Sequence, residues 1–381
     1  MNILIAIDSF KGSLTSAEAG KAAAAGICAA NPNAEIEVVP LADGGEGTVE
    51  ALVQATGGEF VRIQVTGPLG DPVEAAYGIL GDGTTAVIEI AEACGLPLIP
   101  EADRNPLKAT SYGVGELILD AVSRGARSLI VGLGGSATND AGVGMLQALG
   151  CRFLDGAGEE VPRGGAALSA IRSVDVSALH PDIKDLDIQV ACDVNNPLHG
   201  EQGAAYIYGP QKGATPEMVK ELDSGLRNFA EVVKVELGKD IQEIPGAGAA
   251  GGLGAAFAGL LDAELRSGIE LILDTIKLED KVKKADFVIT GEGRMDAQSS
   301  MGKTAMGVAA LAKKHSVPVI ALAGSVSEEA AELNRLGVTA YFSILQEVVS
   351  LDEAMNPDTA GRNLRTTAEQ IFRLIGYSSK P

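Results

Sequence analysis

Short, uninterrupted apolar runs alternate along this chain with longer segments whose apolar positions recur every three to four residues. The runs NILIAI (2–7) and EIEVV (35–39) predict strands, the first of them covered on both faces. Residues 16–30, between them, predict a helix. The alternation returns near the other end, with strands expected over 287–289, 317–322 and 339–342 and helices near 303–315, 327–335 and 359–374. Strand then helix, repeated, predicts an α/β fold with parallel pairing. The middle begins differently. Short strands over 59–65, 73–79 and 85–90, separated by Pro-Leu-Gly-Asp and Gly-Asp-Gly turns, predict antiparallel or mixed pairing. Val114, Leu117, Ile118, Ala121 and Val122 then mark an amphipathic helix, 129–131 a buried strand, and Val219, Leu222, Leu226, Phe229 and Val233 a long helix. The expected architecture is two α/β domains. One is a doubly wound parallel-sheet domain built from both chain ends, 1–60 and 281–381. The other is an inserted mixed α/β domain, 61–280.

Composition narrows the classes of partner. The 381 residues suffice for two cores. No apolar run approaches the ~18 residues a membrane span needs, and the N-terminus has no basic region before its short apolar run, so neither membrane nor secretory signal is expected. The four cysteines (Cys28, Cys94, Cys151, Cys192) lack a C-x-x-C pairing and predict buried, reduced thiols in a cytoplasmic protein. A formal charge of −21 argues against nucleic acid and anionic lipid. An anionic small molecule must then be met by locally placed Lys, Arg and backbone N–H groups.

Such groups occur in loops that follow the expected strands, where open α/β sheets bind ligands. Asp8-Ser9-Phe10-Lys11-Gly12-Ser13 places a carboxylate and an ammonium directly after the first strand. Asp43-Gly44-Gly45-Glu46-Gly47-Thr48 follows the second. Asp8 and Asp43 are candidate metal ligands. Gly132 to Asp140 (GLGGSATND) precedes a helix expected from Ala141, and its N–H groups could cradle an anion; Gly134, Gly135, Ser136, Thr138 and Asn139 are the candidates. Asp193, in CDVNNP (192–197), could orient a substrate hydroxyl or accept its proton. Lys212 lies in the glycine-flanked GPQKG (209–213). The stretch DFVITGEGRMDAQSSMGKT (286–304) reads as a strand ending at Thr290, a glycine turn carrying Arg294, and Lys303 at a helix start. It fails the G-x-x-x-x-G-K-[ST] phosphate-loop pattern because Ala297 stands where Gly is required. Gly246-x-Gly248-x-x-Gly251 matches a dinucleotide fingerprint by letter, but without a clear preceding strand, so a close-packing role is the better expectation. His180, His199 and His315 are scattered, with no metal-ligand spacing.

Read together, these loops resemble the type I glycerate kinase family. The matching segments are DSFKGSLTS (8–16), PLADGGEGT (40–48), GLGGSATNDAGVGMLQALG (132–150), CDVNNPL (192–198), GPQKGA (209–214), GAGAAGGLG (246–254) and ITGEGRMDAQSSMGKT (289–304). They span almost the full chain in the family's order. The departures are small: Ala141 where Gly is more frequent, and Ser299-Ser300 where Thr is common. The resemblance implies ATP-dependent phosphorylation of D-glycerate with Mg²⁺, in a two-domain enzyme with its active site in the interdomain cleft, and in bacterial members 2-phosphoglycerate as product. Within that frame we expect Asp193, Lys11 and Arg294 to be catalytic. Asp8, Ser9, Lys11, Asp43, Arg294 and Lys303 would bind substrate, with Arg294 gripping the glycerate carboxylate. Gly134, Gly135, Ser136, Thr138, Asn139 and Lys212 would hold ATP, and Asp8 and Asp43 the Mg²⁺. An oligomer is compatible with all of this. The rivals are a glycerate 3-kinase or other small hydroxy-acid kinase, an NAD-dependent oxidoreductase, and a non-catalytic acid-binding protein.

Overall fold

The computed structural model describes residues 1–295 and 304–378. Lys303, expected to bind substrate, lies outside the described residues. The strands are β1 (Asn2–Ile7), β2 (Glu35–Pro40), β3 (Glu59–Thr66), β4 (Pro72–Ile79), β5 (Thr85–Glu89), β6 (Ser128–Gly132), β7 (Arg152–Leu154), β8 (Ser173–Asp175), β9 (Asp187–Ala191), β10 (Glu264–Arg266), β11 (Phe287–Met295), β12 (Val319–Val326) and β13 (Ala340–Ser343). The chain forms two compact units. The first comprises the described residues of Met1–Asp43, Glu50–Ala55 and Ile269–Pro381, and the second Gly44–Val49 and Thr56–Gly268.

The first unit is a doubly wound α/β layer. Its sheet runs β13-β12-β11-β1-β2, every pair parallel. Parallel strands covered on both faces need apolar residues throughout, and Ile3, Leu4, Ile5, Ala6 and Ile7 are all buried. The helix Ser16–Ala30 starts at a capping box, in which Thr15 accepts from the Glu18 N–H while the Glu18 side chain receives the Thr15 N–H. It packs against the helix Pro357–Ser378. Gly26 permits that approach, since a side chain there would meet the Arg365 carbonyl. After β1 the chain winds to β2 on one side, and β11 pairs on the other, so the strand order reverses between β1 and β11.

One expectation is corrected here. Strand β11 does not stop at Thr290. Gly291, Glu292 and Arg294 stay extended and pair with Leu322, Ala323 and Ser325 of β12. The glycines that look like a turn serve instead to keep the strand close to its neighbour: a side chain at Gly291 would strike the Leu322 carbonyl.

The second unit is built on a six-stranded mixed sheet, β10-β9-β6-β5-β4-β3. Strands β3, β4 and β5 pair antiparallel, whereas β5, β6, β9 and β10 pair parallel. A two-stranded antiparallel pair, β7–β8, stands apart from it. The helix Tyr112–Ser123 buries Val114, Leu117, Ile118, Ala121 and Val122 in the core. The helix Pro216–Leu237 opens at Thr215, whose side chain accepts from the Met218 N–H, and adds Leu222, Leu226, Phe229 and Val233. Among the described residues no helix is long and apolar enough to cross a membrane.

Candidate active site

Within the first unit, loops at the carboxyl ends of the parallel strands enclose a cavity of about 380 Å³, inside the size range of small-molecule sites. It gathers Asp8, Ser9, Lys11, Asp43 and Arg294, five of the residues expected to bind substrate. Asp8 is 6% exposed. Its Oδ1 accepts the Ser9 N–H at 2.6 Å and its Oδ2 accepts the Thr304 hydroxyl at 2.7 Å. Burial pushes the Asp8 carboxyl above its ordinary value; the Thr304 bond pulls the other way and the nearby Asp43 charge adds to the rise. Lys11 lies 3.6 Å from Asp43 and is mostly exposed, a geometry that contributes little to stability and leaves the ammonium accessible. Arg294, on the extended end of β11, is exposed toward the same space. Glu292, one pleat earlier, also lines the cavity and is buried. Sequence reasoning did not give Glu292 a role; its signal was a carboxylate on a buried apolar run, the same signal that singled out Asp8.

The second unit brings another group together. Glycines make this convergence possible. Gly44 has φ +92°, and a side chain on it would lie 2.7 Å from the Ala191 Cβ and 3.0 Å from the Gly268 Cα. A side chain on Gly132 would lie 2.5 Å from the Gly44 carbonyl oxygen, and one on Gly134 3.2 Å from the Gly45 Cα. The ends of β6 and β9 and the 44–48 loop thus meet at one edge. Asp193 is exposed beside them, held by the Gly268 N–H, which donates to its Oδ1 at 2.9 Å.

The 132–140 loop differs from expectation in two respects. The helix does not begin at Ala141. Ala141 (φ 53°) and Gly142 (φ 69°) are left-handed, and the helix spans Val143–Ala148. Its N-terminus is also filled from within. The Asp140 carboxylate accepts N–H groups of Gly142 and Gly144 as well as the Ser111 N–H and hydroxyl. Complete burial nevertheless raises the Asp140 carboxyl above its ordinary value. Of the loop residues expected to hold ATP, Gly134 and Gly135 are exposed, whereas Ser136, Thr138 and Asn139 are buried. Lys212 is 2% exposed. Its ammonium donates to the Ser136 hydroxyl at 2.9 Å and the Thr138 carbonyl at 2.6 Å, and burial lowers its pKa to about 8. It ties Ser136 and Thr138 of the loop together from within. The run 246–252 packs against the same loop: a side chain on Gly251 would strike the Thr138 carbonyl, and one on Gly252 would lie 2.7 Å from the Ala141 Cα.

Glu89 was missed by sequence reasoning. At the end of β5 its Oε1 accepts the Val49 N–H at 2.9 Å, and it also receives the Gly47 N–H. Burial, with Glu92 and Glu46 nearby, moves its carboxyl up to about 7. It anchors the glycine loop that carries Gly44 and Gly45. A carboxylate closing an apolar strand was again the available signal.

Comparison with known proteins fits these loops. The family model for the glycerate kinase family matches residues 3–376. The chain is 50% identical to the glycerate kinase of Halalkalibacterium halodurans, over 95% of this chain and 97% of that one. It is 49% identical to the glycerate 2-kinase of Escherichia coli K12, over 99% and 100%. The crystal structure of a protein described as a glycerate kinase 2 from Salmonella typhimurium LT2 superposes with a TM-score of 0.91 at 45% identity, covering 99% of both chains. The chain is an α/β enzyme that belongs to the glycerate kinase family.

Proposed function

We propose that this protein transfers the γ-phosphate of ATP to a hydroxyl of D-glycerate, giving 2-phosphoglycerate, in the cytoplasm. The observation that carries this is end-to-end similarity to proteins named glycerate kinase, one of them a 2-kinase. The family-like loops that follow β1, β2, β6 and β9 lie at the carboxyl ends of strands.

Phosphoryl transfer depends on positioning and on neutralising charge more than on covalent chemistry. Arg294 and Lys11 supply the accessible positive charge, to meet anionic groups of the reactants. Asp193 orients the glycerate hydroxyl and takes its proton; its exposure at a strand end and its fixed Oδ1 suit that task. Gly134 and Gly135 offer backbone N–H groups at the exposed tip of their loop. Buried Ser136, Thr138 and Asn139 shape that tip, with Lys212 as its brace.

Asp8 and Asp43 fit a Mg²⁺ ion. Among the described residues no group of three His, Cys, Asp or Glu side chains could hold a metal. Two carboxylates facing one cavity match an ion that takes its remaining ligands from water and phosphate oxygens. The ion would supply neutralisation of phosphate charge. The rise in the Asp8 pKa beside Asp43 supports this placement, because a cation relieves the burial and the like-charge repulsion together.

The test is direct. Incubation with D-glycerate, ATP and Mg²⁺, followed by phosphorus NMR, is expected to give 2-phosphoglycerate. A 3-phosphoglycerate signal would favour a 3-kinase, and no phosphorylated product would remove the kinase reading.

A further inference from the structure

The cavity of the first unit has two chemically different sides. Asp8, Lys11, Asp43, Glu292 and Arg294 make one side charged. Phe10, Ile344, Leu345, Leu351 and Met355 line the other, which is apolar. The apolar side is assembled from separate places: the loop after β1, the segment leaving β13, and the short helix Leu351–Met355. Leu351 is 72% exposed and Leu345 is 40% exposed, so these side chains are presented to solvent and not merely packed in the core.

An apolar wall of this kind has no use for glycerate. Each of the three carbons of that acid bears oxygen, and it has no face that gains by leaving water. The other reactant does. A purine ring is flat, and its faces are hydrophobic enough to gain by burial against side chains such as Leu and Met. The cavity also opens where the strand order of the parallel sheet reverses, between β1 and β11, the position at which doubly wound sheets offer a crevice to nucleotides.

We infer that the first unit's cavity is the nucleotide site, with the adenine ring against Leu345, Leu351 and Met355 and the phosphates toward Lys11 and Arg294. This rests on the kinase reading above and deepens it. It reverses one expectation from the sequence: Arg294 faces the nucleotide's phosphates and not the glycerate carboxylate. It also puts Asp8 and Asp43, the candidate Mg²⁺ ligands, in the cavity that receives those phosphates.

The test uses the full-length enzyme and two neutral substitutions on the apolar side, Leu345→Gln and Leu351→Gln, singly and together. Both positions are exposed, so folding should survive, and an unchanged melting temperature checks this. Neutral replacements avoid adding a charge that would repel phosphate by itself. Binding of Mg²⁺·ADP and of Mg²⁺·tripolyphosphate is measured by calorimetry, and KM is measured for both reactants. The double variant should weaken ADP by about tenfold or more and raise KM for ATP in step. Tripolyphosphate affinity and KM for glycerate should stay unchanged. Unchanged ADP affinity, or a rise confined to KM for glycerate, overturns the inference. So does equal loss of ADP and tripolyphosphate, which would show that the base makes no contact there. If the wild type forms no phosphoglycerate, the kinase reading fails alone; ADP calorimetry still decides where the base sits.

Discussion

Asp193 lends one carboxylate oxygen to the backbone N–H of Gly268, an acceptor role that an amide oxygen also fills. Asp193→Asn therefore separates structure from chemistry. The loop keeps its tie while the group loses its basicity. We expect kcat to fall by ~10²-fold or more with the melting temperature nearly unchanged. Unaltered turnover in the folded variant would take Asp193 out of the proton-accepting role. At this scale the sequence was legible where a charge closes an apolar run, as at Asp8 and Asp193. It was not legible where polar groups bond one another over long separations. Ser136 and Thr138 read as part of an anion cradle, because Lys212, which donates to the Ser136 hydroxyl and the Thr138 carbonyl, is 76 and 74 residues away. Asp140 closed the run without a partner in view, since Ser111, which bonds it, is 29 residues away.

Strand ends carry much of the chemistry, and β5 shows how one of them makes a loop responsive to pH. Glu89 has its carboxyl raised from 4.5 to about 7 by burial. A raised acid pKa means that the folded state holds the proton more tightly than the unfolded chain. The associated stability is present below about pH 4.5 and is lost as pH rises to about 7. Glu89→Gln keeps an acceptor for the Val49 N–H and removes the titration. The melting temperature of the variant relative to wild type should climb across that window and be flat on either side, corresponding to on the order of 3 kcal/mol at most. Parallel melting curves across that window would show that Glu89 is not buried as an acid. Elements were legible where apolar pattern and length agreed, as in β1, β2 and the helix Pro216–Leu237. Strand β11 was not, since Gly291, Glu292 and Gly293 read as a turn. Their extended form depends on pairing with β12, a long-range interaction that local residue preference does not encode.

Among the described residues each unit has an apolar core of its own. In the first unit Ile3, Ile5, Ile7, Ile289, Leu322 and Phe372 cluster, and in the second Tyr77, Ile88, Leu117, Phe153, Phe229 and Phe257. Scanning calorimetry should therefore resolve two transitions, with a total enthalpy above the van't Hoff value for either. Only one of them should carry the pH dependence that Glu89→Gln removes. A single two-state transition would show that the cores melt as one. The pairing of β1 with β11 also sets the order in which the protein can be made. Ile3 lies beside Ile36 on one side and Phe287 on the other, so β1 can meet β2 early but must wait for β11, synthesised on the order of tens of seconds later. Meanwhile the residues of the second unit have all emerged and can close on their own core. The β11-facing edge of β1, whose Ile3 to Ile7 are all apolar, thus stays unpaired until late, and during that interval it is the natural substrate for a chaperone.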